Sequence, residues 1–200
     1  MTITRAGLYL SAALWLAACA STSVVNVWQN PQYAGPPIKK LLVVAALKDA
    51  GVRRSAEDEF VSQLAAKGVS AVASYSLLPM TEKPDKAQIR KAVETAGADG
   101  ILVVRPVRVT KETAYTPGAY YPGPYGYRGF YGYYAGGWAY APPSAYQYEV
   151  ITVETNLWRT APEEMVWSAT TETVQPSNLN EEIKRFASLI IDKLASTKLI

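Results

Sequence analysis

The chain of 200 residues contains no histidine and a single cysteine, Cys19. The missing histidine excludes Ser-His-Asp and Cys-His catalysis, histidine metal sites and a histidine pH switch. One cysteine excludes an internal disulfide, so an ordinary apolar core must hold the fold. No cluster has metal-ligand spacing. Lys48-Asp49-Ala50-Gly51 has one glycine and no phosphate-loop pattern, which argues against a bound nucleotide. Neither sign of charge dominates: 20 Lys and Arg face 17 Asp and Glu, too small an excess to indicate nucleic acid. No catalytic set, metal or cofactor is expected, and the protein is read as a non-enzyme.

The amino-terminal stretch is apolar but too short to span a bilayer. Residues 6–18 form a run of about a dozen residues behind Arg5, against the roughly 20 needed for a membrane helix. The run ends in Leu16-Ala17-Ala18-Cys19, with small residues before the cysteine. This arrangement resembles the lipoprotein signal of bacterial envelope proteins. The resemblance implies cleavage before Cys19, a diacylglycerol on its thiol and an acylated new amino terminus. Several chains at roughly 0.8 kcal/mol per buried CH₂ hold far more firmly than one myristoyl group. Ala20 after the cysteine, rather than aspartate, implies sorting to the outer membrane, facing the periplasm. The plain alternative is a secretory signal with a chance cysteine.

Residues 1–18 are thus expected to be a signal peptide, 19–37 a tether and 38–198 one α/β domain. A mature chain of about 180 residues suits a single domain. The tether is polar and turn-rich, with Asn30-Pro31 and Gly35-Pro36-Pro37; Val24, Val25, Val27 and Trp28 leave room in it for a short edge strand. Leu41-Leu42-Val43-Val44-Ala45-Ala46-Leu47 is continuously apolar, as in a parallel strand covered on both faces. A turn at Lys48-Asp49-Ala50-Gly51 follows. Ser55 with Asp58 approximates a capping box for a helix carrying Ala56, Phe60, Val61 and Leu64, which Gly68 ends. A second strand over 69–75, a helix with Ile89, Ala92, Val93 and Ala96 ended by Gly97, and a third strand from Asp99 complete two strand–helix–strand units. Right-handed crossovers then give three parallel strands. Extended chain over 105–113 and strands over 148–158 and 165–174 add an antiparallel hairpin. A helix capped at Asn178, with Ile183, Phe186, Ala187, Ile190 and Leu194, closes the order β-α-β-α-β-β-β-α: a mixed sheet with helices packed on it.

Several stretches bear on family. They are residues 37–44, Glu57-Asp58-Glu59-Phe60, Ser74-Tyr75-Ser76-Leu77-Leu78-Pro79, residues 97–104 and Val166-Trp167-Ser168. Together they resemble bacterial lipoproteins built on a domain of unknown function. More distantly they resemble TolB N-terminal and CsgG-like α/β domains. The resemblance spans most of residues 38–194 and implies an envelope α/β domain without assigning a reaction.

Residues 114–146 depart from that pattern. Tyrosines alternate with glycine and proline, and no aliphatic residue larger than alanine occurs. Such a segment cannot build a close-packed core and reads as a low-complexity loop inserted in the hairpin. Tyrosines are amphipathic and low in side-chain entropy. Tyr125, Tyr127, Tyr131, Tyr133, Tyr134 and Trp138 are therefore the candidate contacts to an envelope protein or glycan. The plain alternative is a loop tolerated because surface insertions cost little. Asp49, Arg53, Arg54, Glu57, Asp58 and Glu59 gather near the first β–α turn, where ligands of parallel sheets sit. Their expected role is a solvated helix face complementing the dipole, and Asp99 is expected to bond turn backbone. The function expected is a membrane-anchored interaction module. Alternatives are a component of an outer-membrane secretion or assembly complex, and glycan binding through the tyrosines.

Overall fold

The computed structural model describes residues 21–79, 84–120, 140–174 and 178–200. The strands are β1 (Ser21–Gln29), β2 (Lys40–Ala45), β3 (Ser70–Ala73), β4 (Gly100–Thr116), β5 (Ala119–Tyr120), β6 (Tyr140–Ala141), β7 (Ser144–Thr160) and β8 (Glu163–Val174). The helices are α1 (Ala50–Ala66), α2 (Lys86–Ala96) and, closing the chain, α3 (Leu179–Ser196). A six-stranded sheet runs β1-β8-β7-β4-β2-β3, and β5 pairs with β6 separately. β2 lies parallel to β3 and β4, and the other pairings are antiparallel. This is the expected mixed α/β fold, with one strand more.

The apolar run of β2 is buried on both faces, as its composition demands. Leu41 and Val43 face the larger core with Phe60 and Leu64 of α1, Ala187, Ile190 and Leu194 of α3, and Trp167 of β8. Leu42 faces a smaller core beneath α2, with Leu78, Ala92, Ala96 and Ala98. Each fully buried aliphatic or aromatic side chain contributes about 1.5–3 kcal/mol. Phe60 and Phe186 meet edge to face, 5.7 Å between ring centres, which joins α1 to α3. Among the described residues no helix is long and apolar enough to cross a membrane.

The caps follow expectation at three ends and depart from it at one. Gly68 and Gly97, at φ 81° and 59°, take the left-handed conformation that ends α1 and α2. Asn178 accepts from the amides of Asn180 and Glu181 at the start of α3. α1, however, is capped at Asp49, nearly two turns before the Ser55–Asp58 pair. Asp49 is its N-cap, accepting from Val52 N at 2.8 Å, so Lys48-Asp49-Ala50-Gly51 enters a helix rather than making a separate turn.

Three boundaries are corrected. First, the expected tether contains β1, which pairs with β8 from Ser21↔Val174 to Gln29↔Trp167, with a bulge between Val24 and Asn26. Its three valines, Thr22 and Trp28 suit a pleated edge, and Thr22 and Thr173 share a hydroxyl bond of 2.8 Å. Asn30 then fastens the chain to Val166 and Glu164 of β8. Second, the domain runs past residue 198. Lys198, at φ 61°, turns the chain back, so that Leu199 is buried and its carbonyl accepts from Ile38 N at 2.7 Å. Third, of Met165, Trp167 and Ala169, expected from alternation on one face of the last strand, Trp167 and Ala169 reach the core and Met165 does not. A bulge separates Trp158↔Met165 from Leu157↔Trp167, which drives both Val166 and Trp167 into the core.

Candidate functional site

The carboxyl ends of β2 and β3 are filled by the protein's own side chains. Glu57, fully buried, accepts four hydrogen bonds: from Ala45 N (3.0 Å), Arg53 Nε (3.0 Å), Ser74 Oγ (2.7 Å) and Tyr75 N (2.8 Å). Four donors satisfy a carboxylate's acceptor capacity. Arg53, 6% exposed, extends from Glu57 to Ser74 Oγ (2.8 Å) and the Pro79 carbonyl (3.0 Å). The knot ties α1 to β2 and to the chain leaving β3, and leaves Glu57 no acceptor capacity for a ligand. The solvated-face reading is thus overturned for Arg53 and Glu57. They share the helical stripe of Phe60 and Leu64 at i, i+4 spacing, and that spacing was the available signal.

The rest of the acidic cluster stays at the surface. Tyr75 donates to Asp58 Oδ1 at 2.6 Å beneath the Arg54 guanidinium, 5.1 Å above its ring. The bond to Asp58 raises the phenol's pKa above the usual tyrosine value. Glu59 accepts from Gln63. Asp99 accepts from Lys39 N and Lys40 N, at 3.1 and 2.8 Å, the backbone role expected of it. Among the described residues no group of three or more acidic or cysteine side chains could hold a metal.

The most exposed built feature is a two-stranded arm. β4 and β7 pair from Gly100↔Arg159 to Thr116↔Ser144, with one register shift between Pro106 and Arg108. β2 leaves β4 at Val104, and β8 leaves β7 at Val150. Beyond those points the pair continues alone among the described residues. The bulge at Pro106, which has no N–H to donate, marks where the arm leaves the body. Its cross-strand contacts are Lys111 with Glu149 (3.8 Å) and Tyr148 donating to Glu112 (2.9 Å), while Arg105 pairs with Glu154 just before it, within the body. The bond to Glu112 raises the Tyr148 phenol's pKa. Tyr115 is 78% exposed, and Tyr146 packs beside Tyr148, ring centres 6.1 Å apart.

The loop expected over 114–146 is therefore shorter than composition implies. Strand pairing continues to Thr116 and resumes at Ser144, and β5 pairs with β6 further out. The ladder carries Ala114, Tyr115, Ala145 and Tyr146 along because each extra pair extends an existing template; composition does not register that cooperativity. Tyr125, Tyr127, Tyr131, Tyr133, Tyr134 and Trp138 lie outside the described residues, as does Cys19.

Two grooves open on the surface of the described residues. One, of about 290 Å³, has Ile89, Val93, Ile101, Val103 and Trp158 in its lining, with charged Lys86, Arg90, Arg159 and Glu163. Ile89 turns out 36% exposed, because α2 covers only part of its sheet face. The other, of about 180 Å³, lies between α1, α3 and the opposite face of the sheet.

No family model matches the chain. No curated protein matches it. Among solved structures it is similar to the PelC dodecamer from Paraburkholderia phytofirmans, at 17% identity and a TM-score of 0.47, covering 87% of this chain and 97% of that one. It is also similar to lipoprotein GNA1162 from Neisseria meningitidis, at 11% identity and a TM-score of 0.43, covering 78% and 98%. At these scores no function is carried across from either chain, and the site stands on its own geometry: a closed polar knot, two grooves and the arm.

Proposed function

We propose that this protein is a lipid-anchored interaction module of the bacterial cell envelope, a binding protein rather than an enzyme, which holds its tyrosine-rich segment out on the β4–β7 arm to meet an envelope partner. The observation that carries this reading is the arm itself. A ladder extended past the core gains little burial, and here it ends at the chain's most aromatic segment. A cross-strand ion pair and the Tyr148–Glu112 hydrogen bond join the two strands of the arm, so less entropy is lost when a partner is met.

The position of β1 supports the anchor. Only Ala20 separates Cys19 from β1, a reach of about 7 Å. A lipid on Cys19 then seats the sheet against the outer membrane, β1 nearest the headgroups, with no slack tether between them.

Thr116 and Ser144 face each other directly, so a two-residue Asn-Gly turn can replace residues 117–143 without shifting the register. The trimmed protein is expected to unfold at the native temperature and to lose the partner crosslinked in cells from Tyr115 and Tyr146. Capture of the same partner at native yield by the trimmed protein excludes the tyrosine segment as the contact. Cys19→Ser is expected to release the protein from membrane fractions; retention there removes the anchor.

A further inference from the structure

We propose that the groove between α2 and Trp158 is a binding site for an aryl carboxylate, a flat two-ring body carrying one carboxylate group. The sheet row Leu42–Ile101–Trp158 runs beneath it, set by the pairings Leu42↔Ile101 and Ile101↔Trp158. α2 covers Leu42 but stops short of the rest, leaving Ile101, Val103 and Trp158 half-buried. Lys86, Ile89, Arg90 and Val93 of α2 fall at i, i+3, i+4 and i+7, one helical face, and all four line the groove. An apolar cavity of roughly 150 Å³ takes one benzene, and this groove, open to solvent, measures about 290 Å³. A two-ring aromatic fills it.

The charge around that apolar floor is mostly of one sign. Three cations line the groove, Lys86, Arg90 and Arg159, against one carboxylate, Glu163. None of the ion pairs among the described residues uses any of these four. Arg159 is held in place. Its Nε donates to the Ala161 carbonyl at 3.0 Å, its Nη1 donates to Tyr33 Oη at 3.2 Å, and its guanidinium lies 5.8 Å from the Tyr33 ring centre. Those bonds use two of a guanidinium's five N–H groups, and neither partner is a carboxylate. Lys86 and Arg90 are exposed, so a ligand's charge reaches them from solvent. A guanidinium fork matches a planar carboxylate, and Trp158 supplies aromatic surface for a ring. A neutral apolar ligand leaves the cations without a counter-charge, and an ammonium meets an excess of its own sign. The groove lies at the body end of the β4–β7 ladder, away from the arm, and the inference does not depend on the interaction proposed there.

The test uses the mature protein and three probes of one shape: 2-naphthoate, 2-naphthamide and 2-naphthylmethylamine, titrated by calorimetry, with methyl NMR shifts of Ile89, Ile101 and Val103 to locate them. The acid is expected to bind about tenfold more tightly than the amide, a factor that three cations supply at the modest strength of solvent-exposed pairs. The amine is expected to bind more weakly than the amide. Salt at about 1 M, where the Debye length is about 3 Å, is expected to remove most of the acid's advantage. Lys86→Gln combined with Arg90→Gln, both at exposed helix positions, is expected to do the same at low salt and to leave amide binding unchanged. Ile89→Glu, which sets a carboxylate on the groove's exposed wall, is expected to abolish acid binding. Equal affinity for acid and amide in the native protein overturns the proposal. So do an amine that binds as tightly as the acid, shifts confined to methyls elsewhere, absence of binding, and an acid advantage that survives the paired Lys86→Gln and Arg90→Gln change.

Discussion

Glu57→Ala is expected to lose about 3–5 kcal/mol of stability, the cost of leaving one member of a buried ion pair without its partner. Arg53, 6% exposed, would keep its charge in the interior, with Ser74 Oγ and the Pro79 carbonyl as remaining partners. The amides of Ala45 and Tyr75 and the Ser74 hydroxyl would lose their acceptor as well. In a protein of this size that corresponds to a fall in Tm of roughly 10 °C. The paired change Arg53→Met with Glu57→Leu is expected to cost less than Glu57→Ala alone, because no charge is left buried. It should still fall short of the native protein, because the two amides stay unpaired. Urea denaturation of Arg53→Met, Glu57→Leu and the double variant gives the coupling energy. A loss below about 1 kcal/mol for Glu57→Ala, against the 3–5 expected, would show the knot to be dispensable.

Trp167→Ala is expected to cost about 3–5 kcal/mol through the cavity it leaves. Trp167 is fully buried, and in the larger core it is the largest such side chain. It stands in the regular buried alternation of β8 with Ala169, Thr171 and Thr173. Its indole Nε1 is buried without a hydrogen-bond partner among the described residues. Trp167→Phe should therefore cost well under half as much as Trp167→Ala. It keeps most of the volume and removes an unsatisfied donor, whose burial carries a penalty of about 1–3 kcal/mol. Chemical denaturation of both variants tests the pair. Equal losses for Ala and Phe would mean that the Nε1 group, not the volume, governs the site.

Where the chain specifies its own neighbourhood, the sequence and the structure agree. The apolar run at Leu41–Ala45 needs cover on both faces and receives it from α1 with α3 on one side and α2 on the other. The stripes of α1 and α3 face the sheet, and the ends of α1 and α2 fall at Gly68 and Gly97. The Asn178 cap starts α3 where its side chain satisfies otherwise unpaired amides. These features depend on periodicity and on backbone groups within a few residues, and such information is present in the chain itself.

Features that depend on distant partners were settled only by folding. Residues 21–29 read as a tether with room for a short edge strand, and it is the β8 edge that makes them one. Tyr115 and Tyr146 look like loop until the β4–β7 ladder carries them into register. Arg53 and Glu57 look like a wet helix face until Ser74, Tyr75 and Ala45 arrive from β2 and β3 to complete their hydrogen bonds. Local periodicity and composition determined the elements and their order. Edge pairing, strand register and the burial of charge came from groups far apart in the chain (Thr22 and Thr173 are separated by 151 positions), because a hydrogen bond or an ion pair gains its stability from the partner that tertiary structure supplies.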